Sequence, residues 1–177
     1  LFAAIATDTG WFRFNSVKEI TYQTAAKLLA AGAIPADIYR DLYERETAGR
    51  VRLRGTVLAR IQTELDGKFA HTFILPDDYE KTGAQPTDTE DLINLALEID
   101  GTVFAVIIVG QTSGGYKMSF RSRCESAANV VAKEFGGGGH KAAAGAFIDS
   151  NDFAEVQSRV LNHVRAVLTA EYEQDTA

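Results

Sequence analysis

The sequence of 177 residues predicts an α/β fold, in which helices pack against a mixed β-sheet. Stretches with an apolar residue at every second position, typical of strands, interleave with stretches of three- and four-residue spacing, typical of helices. The run Val103–Val109 is apolar at every position, which predicts a central strand buried on both faces. Hydrophobic residues make up 46% and charged residues 24% of the chain, which excludes a disordered or coiled-coil protein.

Charge and cysteine content exclude several classes of function. The formal net charge of -6 argues against a broad electrostatic binder of long nucleic acid and leaves room for a local basic site. A single cysteine excludes a disulfide framework and a cysteine-based zinc site. No apolar run reaches the roughly 18 residues of a membrane span, and no secretory signal is recognisable. We therefore expect a cytoplasmic protein.

The first 48 residues are predicted to form a region of their own. Leu1–Ala6 is expected to be a buried strand, and because such a strand cannot stand alone, it indicates a domain that begins earlier. Thr21–Ala31 and a segment that starts at Pro35 have helical spacing. The domain boundary is placed at Thr47–Gly49.

The next stretch predicts a hairpin. Arg50–Gln62 alternates apolar and polar residues, typical of a half-buried strand, and its arginines are interpreted as a solubility device on an edge strand. Asp66–Gly67 predicts the turn, and Lys68–Leu75 predicts the partner strand. Thr87 and Glu90 have the spacing of a capping box that opens a helix.

The second half of the chain completes the sheet. The predicted elements, in order, are a strand over Tyr116–Arg123, a short helix over Ser126–Phe135, a strand over Ala146–Ile148 and a long helix after Asp152. The final helix, apolar along one side, is expected to cover the sheet.

Four consecutive glycines, Gly136–Gly139, form the most distinctive local feature. Glycine in regular structure costs roughly 0.5–1 kcal/mol relative to alanine, so such a run needs a reason. We interpret it as a loop whose backbone N–H groups converge on an anion, with His140 and Lys141 adding donors. A flexible connector is the alternative interpretation.

A basic strand face lies shortly before this loop. Lys117, Ser119, Arg121 and Arg123 recur at every second position, which places them on one face at about 6–7 Å spacing. Three cations and a hydroxyl suit a phosphate group, since arginine can grip it with two hydrogen bonds. A solvated strand face is the alternative. One short helix separates the two segments, so they can approach each other.

Other candidate residues are weaker. Asp8 is expected at the end of the first strand, where a carboxylate can bind Mg²⁺ or Mn²⁺, although one carboxylate does not make a metal site. His71 and His163 are interpreted as structural or solvent-facing residues. Cys124 has no evident base partner in the sequence, which argues against a nucleophile.

Three segments together resemble a known family. Thr7–Phe14 looks like the last metal-binding motif of a DHH catalytic domain. Lys117–Arg123 looks like the substrate strand, and Phe135–Gly145 like the signature loop, of a DHHA1 domain. In this order they resemble the DHH/DHHA1 phosphoesterase family, and among its branches the nano-RNase / pAp-phosphatase (oligoribonuclease A) type.

The resemblance implies a domain organisation and a function. Residues 1–48 would be the C-terminal remnant of a parallel-sheet DHH catalytic domain with linker helices, and residues 49–177 a DHHA1 substrate-binding domain. The chain would be the C-terminal, substrate-binding part of a Mn-dependent hydrolase of short oligoribonucleotides and/or 3′,5′-bisphosphate nucleotides (pAp). The intact enzyme would bind two Mn²⁺ ions, with Asp8 as one ligand. The implied phosphate contacts are Arg121, Arg123, Gly137, Gly138, Gly139 and His140, with Lys117, Ser119 and Lys141 as further candidates.

The sequence departs from the family in lacking an Asp-His-His triplet and an upstream Asp-x-Asp motif. We therefore expect no complete catalytic site and little hydrolysis by this chain alone. A cyclic-dinucleotide phosphodiesterase, a RecJ-like single-strand exonuclease and a non-catalytic nucleotide- or RNA-binding module are the alternatives. The expected partners are short RNA or a nucleotide, with no membrane, and a homodimer stays open.

Overall fold

The computed structural model describes residues 1–124 and 126–175. The chain divides into two compact units, Leu1–Glu46 and Thr47–Ala177, called here the N-terminal unit and the sheet unit. None of the described helices is long and apolar enough to cross a membrane.

The N-terminal unit is helical. Its helices are α1 Phe2–Asp8, α2 Glu19–Ala30 and α3 Pro35–Tyr43. The strand expected at Leu1–Ala6 is wrong, because Phe2–Asp8 form the helix α1, with Leu1 as its N-cap. The segment is rich in alanine, the strongest helix former, and periodicity cannot distinguish a short apolar helix from a buried strand. The helices predicted over Thr21–Ala31 and from Pro35 are confirmed as α2 and α3.

The N-terminal unit has a small core and a large apolar surface. Its buried apolar side chains are Phe2, Ala6 and Ala25. The exposed large apolar side chains of the unit are Leu1, Phe14, Ile20, Tyr22, Leu29, Ile34, Tyr39, Leu42 and Tyr43. Trp11 packs edge-on against both Tyr39 and Tyr43, at ring-centroid distances of 5.0 and 5.6 Å.

A six-stranded mixed sheet forms the centre of the sheet unit, which confirms the predicted fold class. Its strands are β1 Gln62–Glu64, β2 Phe69–Ile74, β3 Phe104–Gly110, β4 Tyr116–Ser122, β5 Gly138–Gly139 and β6 Ala143–Ile148. They are ordered β1-β2-β3-β4-β6-β5, and only the β2–β3 pair is parallel. Strand β3 is buried at every position between β2 and β4, as its continuous apolar run predicts.

Helices cover the two faces of the sheet unequally. They are α4 Ala48–Ala59, α5 Pro76–Thr82, two 3₁₀ helices over Pro86–Thr89 and Leu92–Glu98, α6 Ala128–Glu134 and α7 Phe153–Asp175. One core lies between the sheet and the helices α6 and α7. A second core lies on the other face, where α4, α5 and the second 3₁₀ helix pack on β2 and β3. The long C-terminal helix thus covers the sheet, as predicted.

The strand predicted over Arg50–Gln62 is wrong, since most of it belongs to α4. Leu53 and Val57 lie four residues apart, on one side of that helix, and both are fully buried. The hydroxyl of Thr47 accepts a hydrogen bond of 3.0 Å from the Arg50 backbone N–H and caps the helix. Strict alternation of apolar and polar residues therefore gave way to helical packing against the sheet.

Two details of the predicted hairpin region also change. Arg60, interpreted as part of a basic edge strand, pairs with the buried Asp78 and donates at 2.9 Å to one of its carboxylate oxygens. The capping box of Thr87 with Glu90 does not form. Asp88 instead accepts a 2.8 Å hydrogen bond from the Gln85 backbone N–H at the start of the first 3₁₀ helix. The turn at Asp66–Gly67 is confirmed, and it joins β1 to β2.

Candidate functional site

The site begins with the alternation of strand β4. Tyr116, Met118 and Phe120 are buried against α6 and α7. The opposite face of β4 carries Lys117, Ser119 and Arg121. These three side chains are at least partly exposed, whereas every residue of the neighbouring strand β3 is buried. Among the described residues, the core on that face is built from the helices, β2 and β3, and it contains no side chain of β4.

Lys117, Ser119 and Arg121 line a cavity of about 210 Å³ on this face. Three of its other lining residues are apolar, namely Ile93, Ile107 and Val109. The remaining three, Thr89, Glu90 and Asp91, lie at the junction between the two 3₁₀ helices. The structure therefore brings three of the four predicted basic-strand residues into one concave site.

The two cations of this cavity keep their charge available. The Arg121 guanidinium donates a 3.2 Å hydrogen bond to the backbone carbonyl of Phe120. Within the described part of the chain, neither Lys117 nor Arg121 forms an ion pair with Glu90 or Asp91, although all four line the same cavity. Cations without carboxylate partners in a partly enclosed site attract a phosphate group.

Arg123 is separated from the other three residues. It lies beyond the last residue of β4, and its guanidinium donates a 2.9 Å hydrogen bond to the backbone carbonyl of Leu97 in the second 3₁₀ helix. It is not among the residues that line the cavity. The arginine thus ties the second 3₁₀ helix to the sheet, which period-2 spacing alone does not predict.

The glycine run has a different role from the one predicted. Gly136 adopts φ +71°, and its N–H donates to the carbonyl of Lys133 at 3.0 Å. The N–H of Gly137 donates to the carbonyl of Ala132 at 2.9 Å, and this pair of bonds is a Schellman cap of α6. Gly138 pairs with β6 in the sheet. A nest of free, converging amides therefore does not form.

The end of the loop leaves one amide at the sheet edge. His140 and Ala143 exchange both backbone hydrogen bonds, at 2.8 and 3.1 Å, across a tight turn through Lys141. In an antiparallel ladder, residue pairs that exchange hydrogen bonds alternate with pairs that do not. Because His140 and Ala143 exchange bonds, the neighbouring pair, Gly139 and Ala144, is of the second kind. A regular ladder would turn the Gly139 N–H away from β6, although Gly139 itself adopts φ +142°. The side chains of His140 and Lys141 are exposed.

Strand register places the loop and the basic strand on the same face. Ser119 lies opposite Gly145, which lies opposite Gly138. Arg121 lies opposite Ala143, the turn partner of His140. Adjacent strands are about 4.8 Å apart, so the backbones of Arg121 and His140 are about 10 Å apart on one face. The two segments thus share a face. Gly145 and Gly138 add no side chain beside Ser119, whereas Ala143 places a methyl group between Arg121 and His140.

Asp8 belongs to the N-terminal unit. It is exposed at the end of helix α1, so its expected position at a strand end is wrong. Residues 1–124 and 126–175 contain no group of three or more His, Cys, Asp or Glu side chains that could hold a metal ion. The described residues therefore do not fit a complete binding site for Mn²⁺.

The remaining candidates do not line the cavity. His71 is buried on the α7 face, where its Nε2 lies 2.8 Å from an oxygen of Glu64, and burial lowers the pKa of His71 despite this contact. The ring of His163 packs edge-on against Phe135. Burial raises the pKa of the Cys124 thiol, which opposes formation of a thiolate nucleophile.

Sequence reasoning missed the second wall of the cavity. Thr89, Glu90 and Asp91 come from a segment where the only signal was a capping pattern. Sequence reasoning also missed the exposed Phe147, which lies opposite Lys117 in the pairing of β4 with β6. The 3₁₀ helices bring the cavity wall close to β4, and the register of β4 with β6 brings Phe147 there. No local sequence pattern predicts either contact.

Comparison with known proteins adds an independent line of argument. The DHHA1 domain profile matches residues 66–169. The chain is 35% identical over 165 residues to the bifunctional oligoribonuclease and PAP phosphatase NrnA of Thermus thermophilus, covering 93% of this chain and 49% of that protein. It is 29% identical over 155 residues to the protein of the same name from Bacillus subtilis, covering 88% and 48%.

A solved structure has a similar fold. The exopolyphosphatase-related protein of Bacteroides fragilis superposes with a TM-score of 0.79 at 28% identity, covering 94% of this chain and 47% of that one. The chain spans about half the length of the curated relatives it matches.

Proposed function

Because this chain belongs to the DHHA1 domain family, we propose that its sheet unit binds the substrate of a phosphoesterase. The proposed substrates are short oligoribonucleotides and 3′,5′-bisphosphate nucleotides such as pAp. The relatives named oligoribonuclease and PAP phosphatase support this choice, as does the acidic chain, which disfavours long nucleic acid. The intact protein, by this proposal, hydrolyses phosphate esters in the cytoplasm.

The cavity beside β4 is the observation that carries the proposal. It is concave, it has an apolar floor, and it presents Lys117 and Arg121 without ion-pair partners among the described residues. A nucleotide combines an anion with a flat ring system, and this lining complements both parts. A stand-alone RNA-binding sheet would more typically offer a row of stacking aromatic side chains.

Individual residues have distinct proposed roles. Lys117, Ser119 and Arg121 contact the substrate phosphate, and His140 with the N–H of Gly139 contacts it from the loop side. Gly137, Gly138 and Arg123 act indirectly, since Gly137 caps α6, Gly138 pairs with β6, and Arg123 binds the Leu97 carbonyl. Lys141 is a further candidate contact next to His140.

The N-terminal unit, by the same proposal, is the end of a DHH catalytic domain whose intact form binds two Mn²⁺ ions. Asp8 would supply one carboxylate to that site. When bound, such ions activate water and stabilise the charge that develops on phosphate. This chain offers no complete ligand set within its described residues, so we expect it to bind nucleotide without Mn²⁺ and to hydrolyse little or nothing.

Calorimetry with pAp and a two-nucleotide RNA, each with and without Mn²⁺, tests the proposal. Arg121→Ala should weaken binding of both by about 1–3 kcal/mol, because a charge-assisted hydrogen bond is lost. Arg159→Ala is the matched control, since Arg159 lies on the opposite face, against the ring of Phe135. Equal affinity in wild type and Arg121→Ala would refute the phosphate role of Arg121, and rapid turnover would refute the absence of a complete catalytic site.

A further inference from the structure

The cavity beside β4 has a second wall that phosphate binding does not use. That wall consists of Thr89, Glu90 and Asp91, which line the same cavity as Lys117, Ser119 and Arg121. Carboxylates repel a phosphate, so these residues need a different ligand group. If the phosphate of a nucleotide contacts Lys117, Ser119 and Arg121, its sugar and its base are the groups that can contact this wall.

The floor of the cavity favours a flat apolar group. Ile93, Ile107 and Val109 form it, and they are only 3%, 2% and 4% exposed, so their side chains are fixed by the second core. The volume of about 210 Å³ is below the roughly 300–1,000 Å³ of pockets for larger ligands. One ring system fits these dimensions better than a dinucleotide does.

The wall offers hydrogen-bond acceptors. Ionised carboxylates only accept hydrogen bonds, so Glu90 and Asp91 require donors from the ligand. One oxygen of Asp91 accepts from the Asn94 side chain at 3.3 Å, which leaves the other oxygen available. Cytosine, adenine and guanine carry an exocyclic amine that donates to a carboxylate, whereas uracil presents a carbonyl oxygen in the position of the cytosine amine.

The wall is also held in place before any ligand arrives. Asp91 adopts φ +63° between the two 3₁₀ helices, and the next two residues, Leu92 and Ile93, are buried. The Arg50 guanidinium donates to the backbone carbonyl of Glu90 at 3.2 Å. A backbone held in this way limits the positions that the exposed Glu90 and Asp91 side chains can take, which favours selectivity.

We propose that Glu90 and Asp91 select the base of the nucleotide whose phosphate lies at Lys117 and Arg121, an inference that rests on the proposed function. They favour bases with an exocyclic amine and disfavour uracil, whose carbonyl oxygen faces a carboxylate. The cavity is then a subsite for a single base, and it makes the proposed substrate class selective at one nucleotide.

Calorimetry with cytidine and uridine 5′-monophosphates tests this directly, because the two bases differ at the group that the wall would contact. The wild-type chain should bind the cytidine nucleotide about 10-fold more tightly, as one well-placed base contact supplies. The double variant Glu90→Gln, Asp91→Asn keeps side-chain size and removes the charge. Its preference should fall to within about 2-fold, chiefly because uridine nucleotide binds more tightly once the repulsion is gone.

Two control variants separate the inference from the proposed function. Glu98→Gln removes an exposed carboxylate outside the cavity lining and should keep the 10-fold preference. Arg121→Ala should weaken both nucleotides by the same factor and leave their ratio unchanged. Equal wild-type affinities, or a preference that survives the double variant, would overturn the inference and leave phosphate binding intact. Failure of both monophosphates to bind while pAp binds would also overturn the inference, and failure of pAp as well would overturn the proposed function itself.

Discussion

The two units of this chain differ in how completely they bury their apolar side chains. The sheet unit has a core on each face of its sheet, with Leu53, Val57 and Phe120 fully buried. The N-terminal unit buries Phe2, Ala6 and Ala25 and exposes a larger set of aromatic and aliphatic side chains. The contrast teaches that the sheet unit has the packing of a stable domain, whereas the N-terminal unit leaves most of its large apolar side chains exposed.

The only tryptophan of the sequence makes this contrast measurable. Trp11 lies in the N-terminal unit, so its fluorescence reports on that unit, while circular dichroism reports on both. We expect the fluorescence transition at a lower urea concentration than the main transition in circular dichroism, because the N-terminal unit unfolds before the sheet unit. Coincident transitions would show that the two units unfold as one.

The largest effect is expected from Phe120→Ala, at the centre of the core under α6 and α7. The loss of a fully buried ring leaves a cavity and should cost about 3–5 kcal/mol of unfolding free energy. The urea midpoint by circular dichroism should fall strongly while the Trp11 fluorescence midpoint stays the same. An equal shift in both signals would contradict the separate behaviour of the two units.

A smaller effect is expected within the glycine run. A Cβ on Gly137 would overlap the carbonyl oxygen of Gly145 and the Ala146 side chain, so Gly137→Ala should cost about 1–3 kcal/mol. A Cβ on Gly138 meets nothing within 4 Å, so Gly138→Ala is the matched control and should be nearly neutral. Thermal unfolding of the two variants compares them directly. Similar melting temperatures would refute the close packing at Gly137.

The ion pair between β1 and α7 should contribute less, and in a pH-dependent way. Arg165 donates to both carboxylate oxygens of Glu64, at 2.6 and 2.9 Å, and these bonds lower the pKa of Glu64. A lowered folded-state pKa means that the pair stabilises above the unfolded pKa of Glu64 and that this contribution disappears as pH falls through the folded value.

Arg165→Ala should therefore cost about 1 kcal/mol at pH 7, discounted because both side chains are partly exposed. The difference from wild type should shrink in acid. Urea midpoints at pH 7 and pH 3.5 check this, and a constant difference at both pH values would contradict the role of Glu64.

The smallest effect is expected at the exposed apolar surface of the N-terminal unit. Ile20 is 60% exposed on α2, so Ile20→Gln should change stability by less than about 0.5 kcal/mol. The Trp11 fluorescence midpoint measures it. A clear loss of stability would show that Ile20 is packed in solution and would weaken the contrast between the units.

Some elements could be predicted because one force decides them. The run Val103–Val109 and the alternation of Tyr116–Arg123 report burial directly, and both became strands in the expected places. The helix at Leu1–Ala6 and the helix over Ala48–Ala59 could not be predicted in this way. Short apolar or alternating segments satisfy both periods, and packing against neighbours that are distant in sequence decides between them.

The candidate site divides along the same line. Lys117, Ser119 and Arg121 share a face because of strand period alone, and so they could be predicted. The cavity wall at Glu90 and Asp91 depends on two 3₁₀ helices that fold over β3, and no local pattern predicts that contact. The sequence predicts that the glycines bind an anion. In the structure, capping of α6 and close contact with β6 explain why Gly136 and Gly137 are glycines.

The shortness of the two outer strands has a consequence for the behaviour of the protein at high concentration. β1 has three residues and β5 has two glycines, so neither edge offers a long row of unpaired backbone groups. A second chain that approached either edge could form only a few intermolecular hydrogen bonds, which is how many native sheets avoid edge-to-edge aggregation. The shortness of these two edges thus also keeps the sheet from acting as a template for fibres.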